Sequence, residues 1–175
     1  MDNRNQLKNK LSGQTFYVFN RIKLRSADLS DIPFITYLSK EVFNVYGPYD
    51  NMVPNWLKLD TTVAIIAQTE TYTCGFAMIG DLSDRYDLSG ASELLAIGVD
   101  PQMQGMGIGD MLIREMEKKA AEINIRRLFL HTATENIKAR SLFTRNGYRP
   151  WEIKRNFYPA GQDAVVMSKE IKVMI

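Results

Sequence analysis

Apolar residues occur in short runs along the chain, and polar turns separate the runs. Alternating or short continuous apolar runs predict strands, whereas an apolar face that repeats every third or fourth residue predicts a helix. Extended segments are predicted at residues 16–19, 22–25, 62–68, 74–80, 93–99, 127–133, 148–154 and 164–170. Helices are predicted from a cap at residue 30 or 31 to residue 43, and over residues 54–57, 111–123 and 136–145, the second of them as a short helix or turn. The length of 175 residues and the lack of a repeat predict a single domain.

Helix boundaries follow from a few polar residues, prolines and glycines. Ser30 or Asp31 is expected to cap the first helix, because their side-chain oxygens accept hydrogen bonds from free N–H groups. Pro33 suits the first turn of that helix. The Gly-Pro pair within residues 46–50 is expected to end it, and residues 81–92 are predicted to be a polar loop.

Residues 104–109, with the sequence QGMGIG, predict an anion-binding turn between a strand and a helix. The first N–H groups of a helix lack partners, and the helix dipole adds to their attraction for anions. Glycines let a phosphate or pyrophosphate approach the main chain closely. The spacing differs from that of a dinucleotide fingerprint and from that of a P-loop.

Gln104, Gly107 and Gly109 resemble the acetyl-CoA pyrophosphate loop of the GNAT superfamily of N-acetyltransferases, which the preceding residues 98–101 (GVDP) also resemble. A second GNAT signature is similar to residues 136–148. It consists of Asn136, Ala139 three residues later, a large residue seven after the asparagine, and Gly147-Tyr148. The same segment also reads as an ordinary capped helix, and both interpretations can hold together.

The resemblance covers residues 22–171 and implies the GNAT acyl-CoA N-acyltransferase fold, an α/β (α+β) domain with a mixed central sheet of about seven strands flanked by about four helices. That single domain would span residues 15–175, after a loose basic tail at residues 1–14. The implied cofactor is acetyl-CoA, with the predicted strand at residues 97–99 splayed from the next strand to hold pantetheine and with the Val99 N–H on the thioester oxygen. The cofactor-binding residues implied are Ile97, Gly98, Val99, Gln104, Gly105, Met106, Gly107, Ile108, Gly109, Asp110, Asn136 and Phe143.

Two residues compete for the role of general base. Glu93 stands fourteen residues before Gly107, where histone-type acetyltransferases place a glutamate. His131 stands five before Asn136, where N-terminal protein acetyltransferases place a histidine or glutamate. The two side chains could share a water. Deprotonating an α-amine at pH 7 costs roughly 1 kcal/mol against roughly 4.6 kcal/mol for a lysine, so a histidine base mildly favours an N-terminal acceptor.

The general acid is where the chain departs from the family. A tyrosine commonly stands seven residues after the asparagine, whereas this chain has Phe143 there. Tyr148 substitutes only if its ring points inward, and a core position is expected instead. A thiolate with a pKa of about 8.5 can leave directly or take a proton from water.

A third resemblance concerns the acceptor. Residues 156–167 look like the Tyr-Tyr-x-x-Gly-x-Asp-Ala-x-x-Met stretch of ribosomal-protein-type and eukaryotic N-terminal acetyltransferases. By that resemblance, the acceptor groove is lined by Phe157 and Tyr158 on one wall and by Phe43, Tyr46 and Tyr49 on the other. The acceptor would be a peptide or protein N-terminus.

Two alternatives stay open. A small-amine acetyltransferase, acting on a polyamine, amino acid or aminoglycoside, is suggested by the carboxylates of Asp81, Asp84, Asp87 and Glu93. A non-catalytic acyl-CoA-binding module is suggested by Phe143, which lacks the usual hydroxyl.

Composition excludes several classes of partner and cofactor. A net charge of +2 without a dense Lys/Arg stripe argues against nucleic acid. The single cysteine, Cys74, and the single histidine exclude a disulfide framework and a usual zinc set, so no metal is expected, and Cys74 is expected to be buried. No apolar run is long enough for a membrane span, and the expectation is a cytoplasmic monomer or homodimer.

Overall fold

A computed structural model describes residues 22–80 and 90–172 of the chain. The strands are β1 (Lys23–Ser26), β2 (Val63–Gln68), β3 (Thr73–Gly80), β4 (Ala91–Val99), β5 (Arg127–Ala133), β6 (Arg149–Lys154) and β7 (Ala164–Glu170). The α-helices are α1 (Ile32–Phe43), α2 (Tyr49–Trp56), α3 (Ile108–Glu122) and α4 (Ile137–Arg145). The predicted strand at residues 16–19, the tail at 1–14 and the acidic side chains of Asp81, Asp84 and Asp87 lie outside the described residues.

The strands form one sheet in the order β1-β2-β3-β4-β5-β7-β6. Among the described strands, β4 and β5 are the one parallel pair, and the other neighbours run antiparallel. The parallel pairing ends at Leu94 and Leu130, although β4 continues to Val99. Residues 95–99 therefore keep β3 as a neighbour on one side and turn an unpaired backbone edge toward the other, as the predicted splay requires.

Each face of the sheet has its own apolar core. On one face, α3 buries Leu112, Ile113 and Met116 against the strands. On the other face, α1 and α2 bury Leu38 and Val53. The apolar residues of each helix recur at helical spacing, which is why each helix has one face for the sheet. Cys74 is fully buried in the first core, as predicted, and burial raises the pKa of its thiol to about 11.

The start of α1 differs from the prediction. Asp28 caps a 3-10 turn (Leu29–Asp31), accepting a hydrogen bond from the Ser30 N–H at 2.8 Å, and α1 follows this turn. Asp31 makes no side-chain cap on α1, because both of its carboxylate oxygens bind the Arg25 guanidinium at 2.6 and 2.8 Å. Pro33 lies in the first turn and α1 ends at Phe43, as predicted.

The second helix is longer than predicted. It begins at Tyr49, inside the stretch expected to break the chain, and includes Pro54. α1 itself ends at Phe43, and the Gly-Pro pair ends the 3-10 turn that follows it (Asn44–Tyr46), where Gly47 has a φ of +144°. A helix can restart directly after Pro48, because its carbonyl accepts from the N–H groups of Asn51 and Met52. Glycine and proline therefore predict that the chain changes direction, but they do not predict where the next helix begins.

Two more boundaries are corrected by pairing and helix geometry. β4 includes Ala91 and Ser92, which were predicted as loop, because they pair with Arg127 and Leu128 of β5. The third helix begins at Ile108, three residues before the predicted start, so the last two residues of the glycine turn form its first turn.

Candidate active site

A groove of about 1170 Å³ opens where β4 separates from β5, and the glycine turn forms one end of it. Eleven of the twelve predicted cofactor-binding residues line it: Ile97, Gly98, Val99, Gln104, Gly105, Gly107, Ile108, Gly109, Asp110, Asn136 and Phe143. Met106 is the exception and packs on the core instead. The fold thus brings the two predicted signature segments to the walls of one cavity.

The start of α3 fits a polyanion. Gly107 is its N-cap with a φ of +79°, and the first helical hydrogen bond runs from the Met111 N–H to the Gly107 carbonyl at 3.1 Å. The N–H groups before Met111 have no partner within the helix and are available to a diphosphate. A Cβ on Gly105 would meet no atom within 4 Å, so the backbone there is open to a ligand.

Helices α3 and α4 are fastened together beside the groove. The Asp110 carboxylate accepts hydrogen bonds from Arg145 at 2.8 and 2.9 Å and from the Asn146 amide at 2.7 Å. The hydrogen bonds from Arg145 are the main reason that the pKa of Asp110 lies below its usual range. Gly109 lets the helices approach, because a Cβ there would lie 3.1 Å from Leu142 Cδ2. Asp110 therefore shapes the groove through its ion pair.

Asn136 caps α4 and faces the groove at the same time. Its Oδ1 accepts a hydrogen bond from the Ala139 N–H at 3.0 Å, as expected for the N-cap of an ordinary helix. Nearby, burial raises the pKa of the Tyr46 hydroxyl, and the Asn136 side chain partly offsets this rise. Both sequence interpretations of this residue are therefore compatible with its position.

Phe143 and Tyr148 belong to the core. Phe143 is only 4% exposed and meets Tyr148 edge to face, with ring centroids 5.9 Å apart. Tyr148 is 2% exposed, and burial raises the pKa of its hydroxyl. A tyrosine so placed is a poor proton donor for a reaction in the groove, in line with the expected core position.

Glu93 and His131 are directly bonded, so the two candidates for the base form one unit. His131 Nδ1 lies 2.6 Å from Glu93 Oε1, with no room for the shared water considered from the sequence. The imidazole is 11% exposed and the carboxylate 27% exposed. Since a carboxylate only accepts hydrogen bonds, Nδ1 carries the proton and Nε2 is left as the accepting nitrogen.

The sheet register creates this contact. Glu93 precedes Leu94 and His131 follows Leu130, and Leu94 and Leu130 are both buried in the core beneath α3. Successive side chains of a strand point to opposite faces, so Glu93 and His131 share the face that carries α1 and α2. A bulge at Leu95 then changes the alternation along β4.

The two predicted acceptor walls touch each other. Tyr158 contacts Tyr46 and Tyr49, with ring centroids 5.0 and 6.2 Å apart. Backbone contacts reinforce them, since the Ala160 N–H donates to the Tyr46 carbonyl at 3.2 Å. Phe43 packs on Tyr49 at 6.0 Å. We call the joined 43–49 and 157–162 segments the aromatic roof.

The aromatic roof contacts His131, one of the two candidates for the base. Phe157 stacks on the His131 ring, with centroids 4.2 Å apart and planes 7° from parallel. Burial raises the pKa of the Tyr49 hydroxyl to about 12, and the Glu93 charge makes a smaller contribution to this rise. Burial also raises the pKa of Tyr158.

Lys154 is a site residue that sequence reasoning missed. Its Nζ lies 3.1 Å from His131 Nε2 and 5.6 Å from the centroid of the Phe157 ring. No motif of the family points to it, because its place depends on a bulge in β6 between Pro150 and Glu152. Its position two residues before Asn156, at the start of the third resemblance, was the one available signal.

Two wider searches concern the described residues only. Within residues 22–80 and 90–172, no three His, Cys, Asp or Glu side chains come together as a metal site. In the same part of the chain, no helix combines the length and apolar character that crossing a bilayer requires.

Comparison with known proteins gives a consistent answer. Residues 29–148 match the Acetyltransferase (GNAT) family. An N-alpha-acetyltransferase of Sulfurisphaera tokodaii is 24% identical over 153 residues, which covers 83% of this chain and 91% of the relative. The [ribosomal protein bS18]-alanine N-acetyltransferase of Salmonella typhimurium is 31% identical over 83 residues, covering 46% of this chain and 56% of the relative.

Solved structures agree on the fold. The ribosomal-protein-S18-alanine N-acetyltransferase of Escherichia coli superposes with a TM-score of 0.74 at 19% identity, covering 88% of this chain and 96% of that one. YncA from Salmonella typhimurium, solved with its cofactor acetyl-CoA, has the same TM-score and coverage at 16% identity. With its glycine turn, splayed strands and seven-stranded sheet, the chain belongs to the GNAT family and is an acetyl-CoA-dependent N-acetyltransferase.

Proposed function

We propose that the protein acetylates the α-amino group of a peptide or protein N-terminus by direct attack within a ternary complex. The observation that carries this proposal is the bond between His131 Nδ1 and Glu93 Oε1 at 2.6 Å, at the point where β4 and β5 separate. Relatives named for N-terminal substrates support the same acceptor.

The proposed base acts through Nε2 of His131. Glu93 holds Nδ1–H and so keeps the imidazole in the tautomer whose Nε2 can accept a proton. Phe157 covers one face of the ring and limits its rotation. An α-amine needs only about 1 kcal/mol to be neutral at pH 7, so a histidine base is sufficient for it.

The cofactor-binding residues hold and orient the acetyl donor. Bound acetyl-CoA supplies the acetyl group as a thioester. The α3 N-terminus, with Gly107 as its cap, is proposed to bind the diphosphate, and the unpaired edge at residues 95–99 is proposed to bind the pantetheine arm through backbone groups.

The thioester position proposed from the structure differs from the one implied by the resemblance. Val99 lies six residues beyond Glu93, which is roughly 20 Å along a strand. If the thioester oxygen lay at the Val99 N–H, the thioester carbon would be too far from the base for one amine to reach both. We therefore place the thioester nearer to residues 95–97 and assign the Val99 backbone to the pantetheine arm.

No tyrosine hydroxyl is assigned as general acid. Phe143 has none, and Tyr148 is buried beneath the groove. The thiol of CoA has an ordinary pKa of about 8.5, so its thiolate form costs only roughly 2 kcal/mol at pH 7. The leaving group can therefore depart as the thiolate without a dedicated proton donor.

The test measures CoA release from acetyl-CoA with three acceptors. The first is a peptide pool with randomised first two residues, a free N-terminus and blocked lysines. The second is the same pool with a blocked N-terminus and free lysines, and the third is spermidine. Turnover of the first pool alone is expected.

His131→Ala is the matched control, and it should remove most of this turnover while acetyl-CoA binding persists. Turnover of spermidine alone would reassign the enzyme to small amines. Turnover of free lysines at the same rate as free N-termini would also contradict the proposal.

A further inference from the structure

Lys154 brings an amine of the protein itself to the candidate base. Its Nζ lies 3.1 Å from His131 Nε2, while Glu93 holds the opposite nitrogen of the same ring. The ammonium also lies over the Phe157 ring, which is stacked on His131. The amine is therefore held by the same two rings that define the site.

The backbone fixes this placement. Lys154 pairs with Ala164 of β7, and Ala164 pairs in turn with Ala133 at the end of β5. Lys154 is thus anchored in the sheet, with only β7 between its own strand and β5, which carries His131. A surface lysine on a loop would have no such constraint.

An amine in contact with an imidazole that a carboxylate orients has the arrangement required for deprotonation by that imidazole, which makes the amine a nucleophile. We propose, resting on the acetyl transfer proposed at this site, that Lys154 Nζ is an acetylation site of the protein itself. The acetyl group comes from the enzyme's own acetyl-CoA when no acceptor amine occupies the site.

The reaction balances without another reactant. His131 Nε2 takes one proton from the Lys154 ammonium and passes it to solvent. The neutral Nζ forms a C–N bond with the thioester carbonyl carbon, and the C–S bond breaks. The second Nζ proton leaves through His131, and the CoA thiolate is protonated. Lysine ammonium and acetyl-CoA thus give N-acetyl-lysine, CoA and one proton.

Self-acetylation is expected to be slower than turnover of an N-terminal acceptor. Lysine amines are almost entirely protonated at neutral pH, whereas a larger fraction of α-amines is neutral. An acceptor that reaches His131 also displaces the Lys154 amine. The modification should therefore accumulate during incubation with acetyl-CoA alone.

The experiment incubates the full chain with acetyl-CoA and follows acetylation of each lysine by peptide mass spectrometry. Lys118, whose side chain is 61% exposed, reports chemical acetylation at the surface. Lys138, which lines the cofactor groove, controls for nearness to acetyl-CoA. Lys154 should be modified faster than both by about tenfold or more, with a rate constant independent of protein concentration.

Variants separate the possible outcomes. Lys154→Arg should lose the dominant acetylation, and His131→Ala should reduce Lys154 to the rate of Lys118. Glu93→Gln, which preserves size, serves the same purpose if His131→Ala does not fold. Equal labelling of Lys154, Lys118 and Lys138, undiminished labelling in a folded base variant, or a rate that rises with protein concentration would overturn the inference.

Peptide turnover measured on the same preparation distinguishes this inference from the proposed function. Turnover of free N-termini with Lys154 unmodified would overturn only the self-acetylation. Rapid modification of Lys154 without any peptide turnover would overturn only the N-terminal acceptor.

Discussion

At the scale of single residues, function depends on which atom of each side chain is already bonded. His131 uses Nδ1 to hold Glu93, so Nε2 is the nitrogen that remains for an amine. The sequence predicts Asp110 as a cofactor-binding residue and Asp31 as a helix cap, but both carboxylates are bound to arginines. A residue type indicates possible chemistry, and its partners decide which chemistry is available.

Removal of the base should have a strongly pH-dependent effect. His131→Ala is expected to lower kcat for an N-terminal peptide by about a hundredfold at pH 7, within the usual contribution of a general base. The deficit should shrink above about pH 8, because an α-amine is then neutral without help.

Glu93→Gln provides the comparison, because it removes the carboxylate that orients the ring and keeps the size of the side chain. We expect a loss of about tenfold, smaller than that of His131→Ala. The measurement is kcat against pH for the three proteins. Parallel profiles for wild type and His131→Ala would exclude His131 as the base.

Asp31→Asn should destabilise the fold by about 1–2 kcal/mol at pH 7, because it breaks a charged pair with Arg25 beneath α1. The hydrogen bonds from Arg25 are the main reason that the pKa of Asp31 is lowered. A lowered carboxyl pKa stabilises the fold above the unfolded-state pKa of about 3.9, and this contribution is lost as pH falls through the folded value.

The difference between wild type and Asp31→Asn should therefore narrow in denaturant titrations below about pH 4. Glu122→Gln is the control, since Glu122 pairs with Lys119 on an exposed helix surface and should matter little. A difference that stayed constant with pH would show that the ion pair is not its source.

At the scale of elements, the glycine turn and α3 form one continuous unit, which we propose binds the diphosphate. The sequence predicts the turn but places the helix start three residues late, because the apolar periodicity begins only at Met111. The structure extends the helix back to Ile108, so the glycine at position 107 is the cap. Helix starts are determined by hydrogen-bond geometry more than by apolar spacing.

Gly107→Ala should weaken acetyl-CoA binding by about tenfold and lower stability by about 1–2 kcal/mol, because a φ of +79° is strained for alanine. Its carbonyl accepts the first helical hydrogen bond, so a change there redirects the N–H groups of the first turn. Gly105→Ala is the matched variant, since it has the same φ of +79° and meets no atom within 4 Å.

Calorimetric titration measures the affinity for CoA, and the Tm without CoA measures the stability. The rise in Tm on adding CoA gives a second measure of affinity. Gly105→Ala should lose similar stability with a smaller loss of affinity. Equal loss of affinity in both variants would mean that the cap has no special role.

At the scale of the whole molecule, the active site is assembled where four distant segments meet. The aromatic roof joins the α1–α2 connection to the β6–β7 connection, and the Gln162 amide donates to the Val45 carbonyl at 2.7 Å across 117 residues. The roof covers His131 on one face of the sheet, and the opening between β4 and β5 leads to the groove that we propose holds the cofactor.

Gly47→Ala should open the roof and raise KM for the peptide by about tenfold, with KM for acetyl-CoA unchanged. A Cβ at Gly47 would lie 2.8 Å from two Pro159 atoms, so the two connections must separate. The φ of +144° adds strain for alanine.

Gly161→Ala is the control, because it introduces a similar strain at a φ of +94° in the β6–β7 connection, which also carries Pro159, with nothing within 4 Å. Steady-state kinetics with each substrate varied in turn make the comparison. An equal rise of KM in both variants would assign the effect to strain and not to roof contact.

Local sequence determined the element types, the glycine turn, the family and most of the residues that line the groove beside that turn, because helix caps, glycine turns and apolar periodicity act between residues close in the chain. Only the tertiary structure decided that Glu93 and His131 bond directly, that Lys154 reaches the same ring and that the roof is closed. These contacts depend on the parallel register of β4 and β5 and on bulges in β4 and β6. A shift of one residue in any of these pairings would turn the side chains to the other face of the sheet, and no local pattern encodes that register.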